Sequence, residues 1–416
     1  MPFTFHEHVL ANGLRIIAEI NPDAHSAAVG FFVNTGARDE SSHVMGVSHF
    51  LEHMMFKGTE ELSAEDINRR FDELGARNNA YTTSEMTCFH AQVIPEHLPQ
   101  ATSLLARMMR PALRQEDFDL EKNVILEEIA MYKDNPFWVL YETAVERHYG
   151  THPLSHRVLG TAETVSRLSR DQMLDYFRQR YSADNTVVSL AGRIDFDAAV
   201  ALIEDECGSW QRSGATRVHP PHRPAFETLV LQDQRVSRGY LIAIADAPPI
   251  EDERRYAASL LMQVLGGSEN SRLHWALIET GIAEEAHAAY DAHHGAGDFF
   301  VYACGDPDRL DRIQEIIDRE SARLVESLTQ PDLERIRARL ATSATLGGER
   351  PNDRMQRIGR SWLAHGCYRS LEQELDRIRR VSLDDLREVA EAFPLGKRTL
   401  ARLVPAPENS DPGTTP

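Results

Sequence analysis

His49-Phe50-Leu51-Glu52-His53 is the stretch that decides how this chain folds and what it does. At 100° per residue, a helix places His49, Glu52 and His53 within about 100° of arc on one face. The apolar neighbours fall on the opposite face: Val47, Phe50, Leu51, Met54 and Met55. Imidazole nitrogen is a good zinc ligand, and a nearby glutamate can take a proton from water that the metal activates. This order of residues therefore indicates a catalytic zinc site on a helix.

The alternative interpretation is an ordinary amphipathic helix whose histidines are solvated or bonded to their neighbours. Because the chain contains 18 His, such a spacing also arises by chance in some sequences of this composition. A catalytic zinc usually takes three protein ligands and leaves one position for water. A third ligand elsewhere in the chain is what separates the two interpretations.

The segment from Phe118 to Tyr132 is the best source of that third ligand. It contains no Gly or Pro and is predicted to be one long helix. Glu121 and Glu128 are seven residues apart and fall on its apolar face, whereas Glu127 points away. The apolar residues predicted on that face are Phe118, Val124, Ile125, Ile129 and Tyr132. A carboxylate on an apolar face is costly to bury unless it is paired or binds a metal. Either Glu128 or Glu121 is thus the expected ligand, and the other supports it.

With this pair in place, the chain resembles the pitrilysin or insulin-degrading-enzyme family, which includes the mitochondrial processing peptidase. The resemblance covers the whole chain and is most specific over residues 30–165. In that family the later of two such glutamates is the ligand, which implies Glu128 as ligand and Glu121 in the supporting role. Further matching stretches are Gly58-Thr59, Gly75, Asn79-Ala80-Tyr81-Thr82, Glu127-Glu128-Ile129, His152-Pro153-Leu154 and Gly160-Thr161.

The resemblance implies a zinc-dependent endopeptidase with one Zn²⁺ per chain, held by His49, His53 and Glu128. Glu52 is the implied general base. The family cleaves unfolded peptides inside an enclosed chamber, which two chains or fused halves form by closing like a clamshell. Residues Asn79, Ala80, Tyr81 and Thr82 resemble the family's edge strand, which binds an extended peptide through main-chain hydrogen bonds.

One family feature is missing. Members that complete the site with their second half carry an Arg and, seven residues later, a Tyr around a central Gly, where this chain has Leu277 and Glu284. The prediction is therefore a heterodimer with a paralogous chain that lacks H-x-x-E-H and supplies the Arg and Tyr. The competing interpretations are a non-catalytic core subunit of the same fold, as in a respiratory complex, and a zinc-binding protein without turnover.

Two halves with similar order of strands and helices suggest an internal duplication. We expect a catalytic zinc-binding domain over residues 1–210, a Pro- and Arg-rich linker over 211–225, a duplicated non-catalytic domain over 226–404 and a flexible tail over 405–416. The expected fold class is α+β, with an antiparallel sheet backed by helices in each domain.

Composition narrows the classes of partner. A net charge of −19, from 64 acidic and 45 basic residues, disfavours nucleic acid and anionic membranes. No stretch has the apolar length of a membrane span, and four scattered Cys indicate neither a disulfide framework nor a cysteine zinc site. The sequence as written predicts a cytoplasmic protein, or a periplasmic one if a leader has been removed.

Overall fold

A computed structural model of the chain describes residues 3–267 and 269–407, so the predicted tail lies outside the described residues from position 408 onward. The strands of the described part are β1 (Thr4–Val9), β2 (Arg15–Ile20), β3 (Ala27–Val33), β4 (Arg77–Thr82), β5 (Thr87–Val93), β6 (Thr186–Gly192), β7 (Thr228–Asp233), β8 (Gly239–Asp246), β9 (Glu285–His293), β10 (Ala296–Gly305) and β11 (Arg398–Pro405).

The α-helices of the same residues surround these strands. They are α1 (Val47–Met55), α2 (Ala64–Glu73), α3 (Leu98–Met108), α4 (Gln115–Lys133), α5 (Pro136–Tyr149), α6 (Ala162–Arg167), α7 (Arg170–Arg180), α8 (Phe196–Cys207), α9 (Arg255–Gly266), α10 (Leu310–Ser327), α11 (Gln330–Gly347), α12 (Pro351–His365), α13 (Leu371–Arg380) and α14 (Leu383–Ala392).

The strands form two sheets backed by helices, which confirms the predicted α+β class. The first sheet has the order β1-β2-β6-β3-β5-β4, and the second has the order β7-β11-β8-β10-β9. The sheets are not purely antiparallel as expected, because β2 pairs with β6 and β7 pairs with β11 in parallel. In each case three other strands and several helices separate the paired strands in sequence, and such a long connection allows parallel pairing.

The second sheet repeats the topology of the first. Strands β7, β8, β9, β10 and β11 have the same order and the same relative directions as β2, β3, β4, β5 and β6. Only β1, which pairs with β2 at one edge, has no counterpart in the second sheet. This shared topology is what a duplication of one supersecondary unit would produce.

The described residues divide into two compact units that are not simple halves of the sequence. The first contains the residues up to Ala130, His156–Val218 and Ser343–Leu371, and the second contains Met131–Ser155, His219–Thr342 and the residues from Glu372 onward. Each unit therefore includes one helix from the opposite half of the chain, α12 in the first unit and α5 in the second.

Close packing explains why α12 belongs to the first unit. A Cβ on Gly359 would lie 2.4 Å from the Phe32 ring, so only glycine allows the helix to approach β3 this closely. Beside it, the buried carboxylate of Glu19 accepts hydrogen bonds from Arg354, Arg357 and Tyr368. These contacts cover the face of the first sheet that carries Phe32.

In the second unit, α5 covers the equivalent face of the second sheet. Leu140 and Ala144 are fully buried there, in one apolar cluster with Ile242, Ile244 and Phe300. Within residues 3–267 and 269–407, no helix is both long and apolar enough to cross a membrane.

Candidate metal centre

The helix that carries the histidine motif begins at a fixed point. The buried carboxyl group of Glu40 accepts hydrogen bonds from the backbone N–H groups of Gly46 and Ser48, each at 2.7 Å. Gly46 has φ +96°, and a Cβ there would lie 2.6 Å from the carbonyl oxygen of Leu159. Only glycine fits this turn. The start of α1 is thus held by two hydrogen bonds to Glu40 and by one backbone conformation that only glycine adopts easily.

Helix α1 divides its two faces as its sequence predicts. Its apolar residues are buried in the core of the first unit: Val47, Phe50, Leu51, Met54 and Met55. His49 and His53 lie on the other face, with ring centroids 4.7 Å apart. The spacing of four residues therefore directs both imidazoles toward the same space, as a shared ligand requires.

Helix α4 contributes the third group of this cluster. Glu128 Oε2 lies 3.8 Å from His49 Nε2 and 3.8 Å from His53 Nε2. The potential ligand atoms of these three residues all lie within 4.8 Å of one another. Four ligands at about 2.0–2.1 Å from a tetrahedral zinc are separated by about 3.3 Å, so small side-chain rotations would complete such a site.

Glu121 orients one of the imidazoles rather than joining the cluster. Its Oε1 accepts a hydrogen bond from His53 Nδ1 at 2.8 Å, and its other oxygen pairs with Lys57 Nζ. With the Nδ1 proton committed to Glu121, the Nε2 lone pair of His53 faces Glu128. A carboxylate behind a ligating histidine is the usual arrangement in zinc proteins, because it fixes the tautomer and raises the basicity of the ligand.

The pKa values of these groups follow from burial and from their neighbours. Burial, reinforced by the charge of His53, lowers the pKa of His49 to about 4, so this imidazole stays neutral at physiological pH. The pKa of His53 is raised above its usual value. Burial alone would lower it, but the hydrogen bond from His53 to Glu121 and the negative charge of Glu121 outweigh that effect. Burial would raise the pKa of Glu121, yet the bonds from His53 and Lys57 lower it.

Glu52 lies on the polar face of α1 but outside the three-residue cluster. Its Oε2 accepts a hydrogen bond of 2.6 Å from Thr82 Oγ1, at the end of β4. Burial raises its pKa, and the bond from Thr82 and the charge of His53 partly oppose that shift. A carboxylate with a raised pKa beside a metal site is suited to take and return a proton.

The predicted peptide-binding residues lie on β4, which is the last strand of the first sheet and pairs only with β5 among the described strands. Asn79 is exposed and Ala80 is buried in the core. Tyr81 donates a hydrogen bond to Gln356 Oε1 at 2.6 Å, so its hydroxyl is committed to α12. The part of β4 that remains available to a ligand is therefore chiefly the backbone edge that does not pair with β5.

The donor set fits a zinc ion. Two imidazole nitrogens and one carboxylate oxygen from two different helices converge on one point, and the carboxylate of Glu121 stands behind His53. Three protein ligands with a fourth position left for water are the pattern of a catalytic rather than a structural zinc.

Sequence reasoning missed some contributors to this centre. Lys57 reaches it by pairing with Glu121, and the four-residue spacing from His53 does place Lys57 on the same face. Glu40 supports the centre indirectly, because it holds the start of α1. Val124, predicted on the buried face of α4, is instead 50% exposed. The covered face is narrower than predicted and centres on Phe118, Ile125 and Ile129.

Comparisons with known proteins place these features in a wider group. The family model described as insulinase (peptidase family M16) matches residues 15–162, and the one described as peptidase M16 inactive domain matches residues 167–340. An uncharacterized zinc protease of Mycobacterium tuberculosis is 34% identical over 397 residues, which cover 92% of this chain and 89% of that protein. The uncharacterized zinc protease YmxG of Bacillus subtilis is 32% identical over 400 residues, covering 95% and 97%.

Solved structures share the fold at lower identity. A protease from Helicobacter pylori has a TM-score of 0.91 at 20% identity, covering 97% of this chain and 100% of that one. A chain of complex III from Candida albicans has a TM-score of 0.81 at 18% identity, covering 96% and 95%. At these identities the likeness concerns the fold alone.

Proposed function

This chain belongs to peptidase family M16, the insulinase family, and we propose that it is a zinc-dependent endopeptidase that hydrolyses unfolded peptides. The membership confirms the resemblance inferred from the histidine motif and the glutamate pair. The observation that carries the proposal is the convergence of His49, His53 and Glu128 beside Glu52, whose carboxylate is not part of the ligand cluster.

In the proposed site, His49, His53 and Glu128 hold the metal, and Glu121 fixes the tautomer of His53. Zinc bound there would act as a Lewis acid toward the scissile carbonyl and the attacking water. Glu52 takes a proton from that water as its oxygen attacks the carbonyl carbon. The same carboxyl group then delivers the proton to the amine nitrogen as the C–N bond breaks. Thr82 keeps the Glu52 carboxylate in place by its hydrogen bond.

The proposed substrate is an extended peptide added to the outer edge of β4. The position of β4 at the edge of the sheet supports this, because an unpaired edge offers main-chain N–H and C=O groups to a new strand. Thr82 ends β4 and contacts Glu52, so a peptide along Asn79–Thr82 would pass close to the proposed base. Folded proteins cannot present an extended backbone in this way, which is why the proposal specifies unfolded substrates within an enclosed chamber.

The proposed active form is a heterodimer with a paralogous chain. Leu277, at the position of the family's Arg, is fully buried in the apolar core of the second unit. Glu284, at the position of the Tyr, forms an ion pair with Arg238 at 2.9 Å. Neither side chain can donate a hydrogen bond to the oxyanion of a substrate, and loss of one such donor costs on the order of 10²–10³ in rate. A partner chain that supplies the missing Arg and Tyr would restore this contribution.

The second candidate function is a non-catalytic core subunit, and the fold shared with the complex III chain favours it. Retention of His49, Glu52, His53 and Glu128 argues against it. A structural subunit has no use for two ligating imidazoles, a third ligand and an adjacent base with a raised pKa.

The test combines metal analysis with hydrolysis of an unfolded peptide library, with and without paralogous chains from the same cells. Glu52→Gln should keep its zinc and lose hydrolysis, whereas His53→Ala should lose both. Glu127→Gln, a neighbouring exposed carboxylate on α4, is the matched control and should change neither. Stoichiometric zinc with no hydrolysis under any of these conditions would favour the core-subunit function. Full activity of the chain alone, unchanged by any paralogue, would contradict the heterodimer.

A further inference from the structure

A second cluster of potential metal ligands lies in the second unit. It consists of His148 at the end of α5, His222 in the segment before β7 and Asp246, the last residue of β8. One ligand atom from each lies within 4.8 Å of the others. All three residues belong to segments of the second unit, so the cluster is separate from the centre on α1 and α4.

The two separations between a histidine nitrogen and the Asp246 oxygen match those expected around a tetrahedral cation. Asp246 Oδ1 lies 3.4 Å from His148 Nε2 and 3.2 Å from His222 Nε2. Ligand atoms at about 2.0–2.1 Å from a tetrahedral zinc are about 3.3 Å apart. The corresponding separations in the first centre are 3.8 Å.

His148 faces Thr399 with Nδ1 and Asp246 with Nε2. The hydrogen bond to Thr399 determines which of these two nitrogens carries the proton of the neutral ring. Thr399 Oγ1 donates its only hydrogen to the carbonyl oxygen of Ala225 at 2.7 Å. It can therefore only accept from His148 Nδ1, which lies 3.2 Å away and must carry the ring proton. A neutral His148 then directs the lone pair of Nε2 toward the carboxylate of Asp246.

That arrangement is unfavourable unless something positive lies between the two groups. The His148 side chain is fully buried, and its Nε2 has no hydrogen-bond partner among the described residues. A lone pair on the buried His148 that faces the partly exposed carboxylate of Asp246 at 3.4 Å needs either a proton or a metal cation between the two groups. The nearby His222 Nε2 lies at hydrogen-bond distance, 3.2 Å, from the same Asp246 oxygen, and a shared cation would take the place of the proton in that bond.

The surroundings hold His222 in this position. His152 Nε2 donates to the carbonyl oxygen of Pro220 at 3.1 Å, and its Nδ1 accepts from the N–H of Leu154 at 3.2 Å. Both nitrogens of His152 are thus committed, so it positions the segment around His222 and is not itself a ligand. The Tyr149 ring packs against His222 with ring centroids 4.6 Å apart.

We propose that His148, His222 and Asp246 form a second divalent-cation site, of zinc type, that fastens the segment before β7 to the second sheet. Two imidazoles and one carboxylate are a donor set that zinc and cobalt accept readily, and Mg²⁺ or Ca²⁺ would prefer oxygen ligands alone. The role is structural, because the site joins three segments that are distant in sequence. It does not depend on the peptidase function.

The experiment removes the first centre so that the second can be measured by itself. In the full chain with His49→Ala and His53→Ala, equilibrium dialysis against Zn²⁺ should leave one bound equivalent. Co²⁺ should give the intense visible bands of a tetrahedral complex. Adding His222→Ala should weaken binding by more than the 10–100-fold that loss of an outer-shell partner typically causes. Adding His219→Ala, in the same segment but outside the cluster, should leave binding unchanged.

Asp246→Asn serves as a second variant, since it preserves side-chain shape and avoids the cavity that loss of the buried His148 would leave. It should also abolish the cobalt bands while the far-ultraviolet circular dichroism of the fold is retained. Absence of bound Zn²⁺ and of cobalt bands in the His49→Ala, His53→Ala background would overturn the proposal. It would show that a proton, held as a buried imidazolium of His148 beside Asp246, occupies this position instead.

Discussion

Replacing Glu121 by Gln tests the proposed division of labour between the two glutamates of α4. The substitution keeps the shape of a buried side chain and still accepts a hydrogen bond from His53 Nδ1, but it removes the negative charge. It also removes the ion pair with Lys57, whose side chain is 35% exposed and can turn to water. The change therefore acts mainly on the basicity and orientation of His53.

The magnitude follows from the kind of hydrogen bond that is lost. A bond to a charged acceptor contributes about 1.5–3 kcal/mol, and a neutral one contributes about 0.5–1.5 kcal/mol. The difference of about 1–1.5 kcal/mol corresponds to about 5–15-fold in zinc affinity, at the lower end of the range known for outer-shell partners. Glu128→Gln replaces a proposed ligand and should cost far more, at least about 100-fold. Glu127→Gln, which alters an exposed neighbour, should cost less than about twofold.

The assay is competition for zinc against a chelator of known affinity, at fixed pH, with thermal unfolding to verify that each variant is folded. Hydrolysis by Glu121→Gln should recover when zinc is raised to saturation, because the variant weakens binding of the metal rather than proton transfer by Glu52. Loss of zinc on changing Glu121, with retention on changing Glu128, would reverse the two roles. Equal affinity in all three glutamine variants would refute the reasoning altogether.

The remaining predictions concern the two residues that hold α1 and Glu52 in place. Glu40→Gln should leave one of the N–H groups of Gly46 and Ser48 without an acceptor and lower the free energy of unfolding by about 1–3 kcal/mol, measured by urea titration. Burial raises the pKa of Glu40 to about 8 from 4.5, so its contribution to stability is present below pH 4.5 and lost as pH rises toward 8. The unfolding free energy of the wild type should thus fall across this range relative to that of Glu40→Gln, and parallel pH profiles would contradict this. Thr82→Val should lower kcat by about tenfold with zinc content unchanged, because Glu52 loses its 2.6 Å hydrogen bond; Thr82→Ser, which keeps the hydroxyl group, is the control and should retain most of the activity.

Local patterns allowed the histidine helix and the glutamate pair to be predicted. The side chains of His49 and His53, like those of Glu121 and Glu128, share a face because of helix periodicity alone, which a sequence displays directly. The cap from Glu40 to α1 depends on how the short intervening turn folds, and the pairing of Lys57 with Glu121 depends on how α4 packs beside α1, so helix periodicity does not reveal either contact. The exposure of Val124 was mispredicted for a related reason. Periodicity gives the direction of a side chain, but the width of the covered face depends on what packs against the helix.

Helix α5 belongs to the second compact unit and α12 to the first, and this is the feature that the sequence alone is least able to predict. Each helix begins with a proline just after another long helix, so the local sequence marks a break without showing which sheet the next helix covers. The decision comes from contacts far away in sequence, such as Gly359 against Phe32 and Leu140 beside Ile242. Boundaries drawn at the linker alone therefore cannot describe these units.

The repeated topology also shows how little of the fold the proposed chemistry uses. Helix α9 follows β8 and precedes β9, as α1 follows β3 and precedes β4, yet α9 contains no histidine and no glutamate, and most of its residues are buried. Helix α11 has no pair of glutamates seven residues apart. The second unit thus repeats the scaffold without the ligands, in agreement with the inactive-domain model that matches residues 167–340. The cluster of His148, His222 and Asp246 lies on neither of these two helices. Its residues lie instead at the ends of α5 and β8 and on the segment between the two halves, so the proposed second site draws on parts of the fold that the centre on α1 and α4 does not use.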